Sequence, residues 1–338
     1  MQHKDHEIEV LKPLKTWSHL AGARRRSSEY EIVSVDTLYN VDNPERPLEL
    51  DTNVHMNRWY RKYREGSALK HGDWKGFRDP DELVYRTYNM LQHGQETYVD
   101  GLLDEHDELD HDDGLTDQWV ETLSLAYTPM RYLMHTLQMC SGYLTLMAPA
   151  STIVNCAALQ MGDQLRWLSR VAYRSAELKR NRPGFGFGED ERGHWEDHKT
   201  WQPTREMMEK VLIAYDWGET FVALNLVAKP AIDEGFLRTL GKSARRNNDL
   251  LLAMLLDAQL RDSDRSRRWS SAVVKYAVDG DQKNRATIGA WIAKWMPLAD
   301  AAIDAYCATL PDVPEVAAEA KAAVREFHEG LKLGQWVR

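Results

Sequence analysis

Between about residues 81 and 310, apolar side chains recur at alternating three- and four-residue spacings, and no comparable run alternates with period two. A repeat near 3.5 residues gives each segment one apolar stripe. Such a chain can bury its stripes only by packing long helices side by side. One stripe carries Val120, Leu123, Tyr127, Met130, Met134, Leu137, Leu144 and Ala148, with Ser141 at a heptad position. Pro149 ends it, and Ser151 is placed to cap the next helix. That helix shows Val154, Ala158, Met161, Leu165, Leu168 and Ala172 on its seam. Further helices are expected over 208–228, 248–278, 284–310 and 315–331, and Asp79-Pro80-Asp81-Glu82 reads as a helix start. The fold class is therefore all-α, a large helical bundle without a solenoid repeat.

The organisation expected is an extended, irregular N-terminal arm over 1–80, a helical domain over 81–310, and a C-terminal helix and tail over 311–338. The arm has prolines and scattered aromatics, including Trp17, Tyr30, Trp59 and Trp74, but no long helical period. Disordered polar tails lack such aromatics, so the arm should wrap either its own domain or a partner. A formal net charge of -9 argues against a nucleic-acid or anionic-membrane binder. No apolar run approaches the roughly 18 residues of a membrane span, and the N-terminus has no signal-peptide core. Cys140, Cys156 and Cys307 match neither a disulfide framework nor a zinc motif. These features read as a cytoplasmic protein.

Helical bundles can hold carboxylate-bridged metal pairs, built from a Glu on each of two helices and Glu-x-x-His on each of two more. Two Glu-x-x-His strings exist, Glu108/His111 and Glu191/His194. The first lies in an almost wholly charged stretch and the second follows a glycine-rich loop, so both read as solvated surface rather than ligands. His93 and His135 read as structural histidines, and Cys140 and Cys156 as core.

The polar intruders on the seams are more informative. Asp262 and Arg265 fall on the line Leu251, Leu255, Ala258, Trp269, Ala272 and Tyr276. Asp163 and Arg166 share their i, i+3 spacing on the side of their helix opposite its apolar seam, but that helix is apolar nearly all round, so both sides are expected to be buried. Glu219 lies on the line Met208, Leu212, Tyr215, Val222 and Leu226. Acid-x-x-Arg thus stands twice where a metal protein would carry Glu-x-x-His. A guanidinium has no free lone pair to ligate with, but it can neutralise a buried carboxylate. The expectation is a set of buried ion pairs, Asp163, Arg166, Asp262, Arg265 and Glu219, in place of metal ligands.

Several longer strings resemble the hydroxylase beta subunit of bacterial multicomponent di-iron monooxygenases of the toluene, alkene and isoprene type. They are Leu14-Lys15-Thr16-Trp17-Ser18-His19-Leu20, Ser28-Glu29-Tyr30-Glu31-Ile32-Val33-Ser34, the run from Asp79 to Asn89, Ala148-Pro149-Ala150-Ser151-Thr152-Ile153, Leu165-Arg166-Trp167-Leu168, Tyr215-Asp216-Trp217-Gly218-Glu219 and Arg268-Trp269-Ser270. They occur in the family's order and span about residues 10–310. The resemblance implies a ferritin-like bundle, similar to the ribonucleotide reductase small subunit, in a chain with no catalytic or metal-binding residues of its own. It implies a di-iron centre in a partner alpha subunit, a gamma subunit and a dimer of alpha-beta-gamma trimers. A Rieske ferredoxin, an NADH reductase and an effector protein would complete an NADH-dependent system that inserts one O2-derived oxygen atom into small hydrocarbons. Trp17 and Tyr30 become expected anchors on alpha. Two other readings stay open: a metal-bearing oxygenase using Glu219 with the Glu-x-x-His strings, and a standalone helical binding module.

Overall fold

The computed structural model describes residues 27–38, 53–311 and 316–336, and these contain helices and no β-strand. A short helix α1 (Glu29–Ser34) is followed by α2 (His55–Tyr60, continuing as a π turn over Arg61–Glu65). The bundle proper comprises α3 (Tyr85–Glu108), α4 (Asp117–Ala126), α5 (Met130–Met147) and α6 (Ser151–Asn181). Then come α7 (Glu191–Asp197), α8 (Gln202–Leu212) and α9 (residues 217–246). The chain closes with α10 (Leu250–Gly280), α11 (Lys283–Cys307) and α12 (Val316–Gly330).

Several expected boundaries move, each for a local reason. The stripe from Val120 to Ala148 is one apolar line but two helices. Pro129 interrupts it, and the exposed carbonyls at the end of α4 find buried donors: Trp201 Nε1 gives a hydrogen bond to Leu125 O (2.8 Å) and the Tyr306 hydroxyl one to Ala126 O (3.0 Å). Asp79 does not start α3. Its carboxylate accepts from the amides of Asp81 and Leu83, and Glu82 takes a positive φ of 46°, so the helix begins only at Tyr85. Ser151 caps nothing, and its hydroxyl accepts from the amide of Thr37 instead (3.3 Å). The 208–228 segment breaks after Leu212, and a new helix starts at Trp217 under an Asp216 cap.

The described parts of the arm lie on this chain's own helices. Leu69 and Phe77 are members of the core. Trp59 donates to the Tyr143 hydroxyl (3.0 Å), which in turn donates to Tyr215 O (2.7 Å). Residue 80 is therefore not an edge of packing, and neither is 311, since Val316, Ala320 and Val324 of α12 join the same core.

Helix α9 is almost completely buried and widens into π turns over Val222–Ala228 and Asp233–Arg238. An α-helical donor for Leu226 O would be the amide of residue 230, which is a proline and has none. His328 of α12 also hydrogen-bonds Leu226 O from Nε2 (2.6 Å), tying the last helix to the most buried one. Burial lowers the His328 pKa from 6.5, against the opposing effect of that hydrogen bond, so the folded state favours the neutral ring. A depressed histidine pKa contributes stability that is present above pH 6.5 and is lost as pH falls through the folded value. Wild-type protein should lose more stability than His328→Leu between pH 7 and 5 in urea titrations; equal losses would remove His328 as the cause.

Candidate functional site

Helices α3, α6 and α10 enclose a polar network deep in the bundle. Asp163 and Arg166 project from α6 one turn apart, and Asp262 and Arg265 do the same from α10. The pairs are exchanged between helices: Arg265 of α10 binds Asp163 of α6, and Arg166 of α6 binds Asp262 of α10. Arg265 also lies 3.5 Å from Asp262 on its own helix. The i, i+3 spacing read from the sequence is real, but its main effect is to present an acid and a base to the facing helix in complementary order.

Donors from α3 and α6 satisfy the remaining carboxylate oxygens. The Tyr88 hydroxyl donates to Asp163 Oδ1 (2.9 Å), Gln92 Nε2 donates to both Asp163 Oδ1 and Asp262 Oδ1 (3.0 Å each), and Trp167 Nε1 donates to Asp262 Oδ2 (2.8 Å). Arg166 also reaches Glu96 (2.7 Å), which binds Arg170 as well. Burial, reinforced by the adjacent Asp262 carboxylate, pushes the Asp163 carboxyl up to about 6 despite the facing guanidinium. Burial alone would lower Arg265, but the Asp163 and Asp262 carboxylates outweigh it and hold its pKa above the ordinary value.

A di-iron centre does not fit these residues. Two guanidinium groups and the amide NH2 of Gln92 are aimed at the two carboxylates, all three are donors, and no histidine takes part. No group of three His, Cys, Asp or Glu side chains able to hold a metal exists among the described residues. Glu108 is exposed at the end of α3, while His111 contacts the buried cap Asp249 (3.2 Å). Glu191 is buried and accepts from the Gly188 amide (2.6 Å), so its expected surface placement does not hold.

Other expected residues separate from the network. Glu219 is not a member: the break after Leu212 turns it toward α11, where it accepts from Lys294 Nζ (2.5 Å) and Trp295 Nε1 (3.1 Å) near the surface. Tyr30 is buried on its own chain, its hydroxyl accepting from the Asp79 amide (3.0 Å), so its ring is not presented to a partner. Trp17 lies outside the described residues. His93 and His135 are exposed rather than structural.

Tyr88, Gln92 and Glu96 were missed, although their i, i+4, i+8 spacing marks one face of α3. Both sides of α6 were expected to be buried: the side carrying Asp163, Trp167 and Arg174 is, whereas on the seam Val154, Ala158, Met161, Leu168 and Ala172 are only half-buried and Leu165 is 43% exposed.

A family model described as methane/phenol/alkene hydroxylase matches residues 59–281. The beta subunit of the hydroxylase component of the toluene-4-monooxygenase system from Ectopseudomonas mendocina is 51% identical, over 90% of this chain and 92% of its own. The small subunit of the propane 2-monooxygenase hydroxylase from Rhodococcus jostii is 22% identical, over 84% of this chain and 77% of its own. The solved structure of toluene 4-monooxygenase with toluene bound superposes with a TM-score of 0.84 at 51% identity, covering 88% of this chain and 98% of that one. Phenol hydroxylase from Pseudomonas sp. OX1 shares the fold, with a TM-score of 0.77 at 18% identity over 93% and 94% of the two chains.

Removing one member of a buried ion pair strands the other, a cost of about 3–5 kcal/mol, whereas replacing both with apolar groups is often neutral. Arg265→Leu should therefore destabilise the protein by that order in urea unfolding, and Asp163→Leu/Arg265→Leu should recover most of the loss. A double variant no more stable than the single one would show that the pair is not the source.

Proposed function

Because the chain belongs to the methane, phenol and alkene hydroxylase family, we propose that it is the non-catalytic beta subunit of a multicomponent di-iron hydroxylase. The complex inserts one O2-derived oxygen atom into a small hydrocarbon, by alkene epoxidation or aromatic hydroxylation. The relatives' names refer to toluene, propane and phenol, which sets the substrate class. The iron pair belongs to the partner alpha subunit, and a gamma subunit, a Rieske ferredoxin, an NADH reductase and an effector complete a cytoplasmic system of paired alpha-beta-gamma trimers. No described helix is long and apolar enough to cross a membrane.

The observation that carries this reading is that the first half of one central helix turns polar side chains inward and apolar ones outward. In the first half of α3 the fully buried side chains are Tyr88 and Gln92, while Met90 is 65% exposed and Leu91 and Tyr98 also face outward. Helix α6 sends Ile153, Cys156, Trp167 and Val171 inward beside its charged residues and leaves Leu165 exposed. The arrangement suits a scaffold whose outer surface is completed by another subunit. The residues that would have held metal instead form the salt-bridged interior that holds these helices. Trp17, in the N-terminal arm, is the proposed further anchor on alpha. The metal-bearing alternative would need Arg166 and Arg265 to leave the site they fill.

The test is iron content and size of this chain, alone and co-expressed with the other hydroxylase subunits. The chain alone should carry no stoichiometric iron and should join an iron-bearing assembly on co-expression. Leu165→Asp should reduce that assembly at least tenfold. About two irons in the isolated chain would overturn the scaffold reading.

A further inference from the structure

Three aromatic rings fasten α2 to the break between α8 and α9. Trp59 lies 4.6 Å from Tyr63 and 4.9 Å from Tyr215, and the last two lie 5.5 Å apart, centre to centre. Beside them, between the end of α8 and the middle of α11, runs an open groove of about 670 Å³. Its apolar wall is Tyr63, Ile213, Tyr215, Pro297 and Leu298, and Ile213 is 62% exposed. The carboxylates of the groove are already answered within the chain. Asp216 accepts from the Ser67 hydroxyl (2.6 Å) and the Gly218 amide (2.8 Å), and Glu219 from Lys294 and Trp295.

Next to the groove, α2 and its π turn carry Arg58, Arg61 and Lys62 at i, i+3, i+4 spacing, which gathers them on one side. All three are exposed, and none pairs with a carboxylate among the described residues. Lys62 stands at the edge of the groove, its Nζ 4.7 Å from the centre of the Tyr63 ring. Other surface cations are met by acids of this chain: Arg78 by Glu31 and Glu82, Arg86 by Glu29, Arg170 by Glu96 and Asp100, and Arg268 by Asp81. In a chain of net charge -9, three adjacent cations without a counter-charge present a local field of the opposite sign to the whole.

Obligate interfaces have an apolar centre depleted of charge, whereas transient ones are more polar and are steered by complementary charge. A small aromatic-walled groove bordered by unpaired cations is of the second kind. A lipid surface or a nucleic acid calls for a broader basic field than three side chains on an acidic protein. We propose that the groove and the cationic face beside it are a docking surface for an acidic segment of a soluble protein that meets the assembled hydroxylase transiently. Apolar side chains of that segment seat against Ile213 and Tyr215, and its carboxylates meet Arg58, Arg61 and Lys62. This rests on the reading of the chain as a hydroxylase subunit.

The test uses the assembled hydroxylase carrying Arg58→Glu/Arg61→Glu/Lys62→Glu in this chain. Assembly, and turnover at saturating levels of every soluble component, should match wild type. The concentration of one component that gives half-maximal turnover should rise by about tenfold, and the salt dependence of that concentration seen in wild type should disappear. Ile213→Asp should raise the same concentration and keep the salt dependence. Unchanged half-maximal concentrations for all components overturn the proposal. Failed assembly of the triple variant also overturns it, by making this face a contact with another hydroxylase subunit. An inert Ile213→Asp beside an affected triple variant overturns the groove as the seat. Binding of wild type, but not of the triple variant, to phosphatidylserine vesicles overturns the proposal in favour of a lipid surface. A wild-type chain that joins no hydroxylase assembly sinks the underlying reading, and the proposal with it.

Discussion

The exchanged pairing of Asp163 with Arg265 and of Arg166 with Asp262 is the constraint around which the central helices are arranged. Neither acid is neutralised mainly by the arginine a turn away on its own helix. Each depends on the facing helix, so α6 and α10 are locked in register by two opposed charges apiece. Buried ion pairs of this kind add little net stability over apolar packing, because desolvation consumes most of the Coulombic gain. Their consequence is geometric: a slip of one helix against the other would strand four charges.

That lock explains the polarity of the neighbouring helices. A charged interior needs further donors and acceptors, and α3 supplies Tyr88, Gln92 and Glu96 on the face that another helix would use for leucines. With the inner face of its first half committed to polar contacts, α3 leaves Met90, Leu91 and Tyr98 on the outside, while α6 still sends Ile153, Cys156, Trp167 and Val171 into the core beside its charges. Arg166 and Arg265 bring positive charge permanently, and carboxylates and an amide gather around it.

Away from the network the bundle packs conventionally. The line Leu251, Leu255, Ala258 and Trp269 of α10 is buried as its spacing required, and Val120, Leu123, Met134 and Leu137 are buried as well. Helix α9 departs from regularity, with two π turns, an internal proline and a carbonyl hydrogen-bonded by His328 from the far end of the chain. Such a bond links residues about a hundred positions apart and leaves no periodic trace.

Sequence alone determined the all-helical class, most helix extents, and the four charges at i, i+3 spacing, because each follows from local periodicity and residue chemistry. It also carried the family resemblance through strings such as Leu165-Arg166-Trp167-Leu168. It read both sides of α6 as buried and did not foresee that Leu165 would be exposed and its neighbours on the seam only half-buried, because periodicity reports an apolar stripe and not how much of it this chain covers. It could not reveal that the ion pairs cross between helices, nor that Gln92 bridges them, since those contacts join residues 71 to 170 positions apart. It misplaced Glu219, because a heptad line drawn through Met208 and Leu226 ignores the four-residue break that rotates the second half. Tertiary structure decided these points for one physical reason: a buried charge must find its partner in three dimensions, and the helices turn to whichever faces allow it.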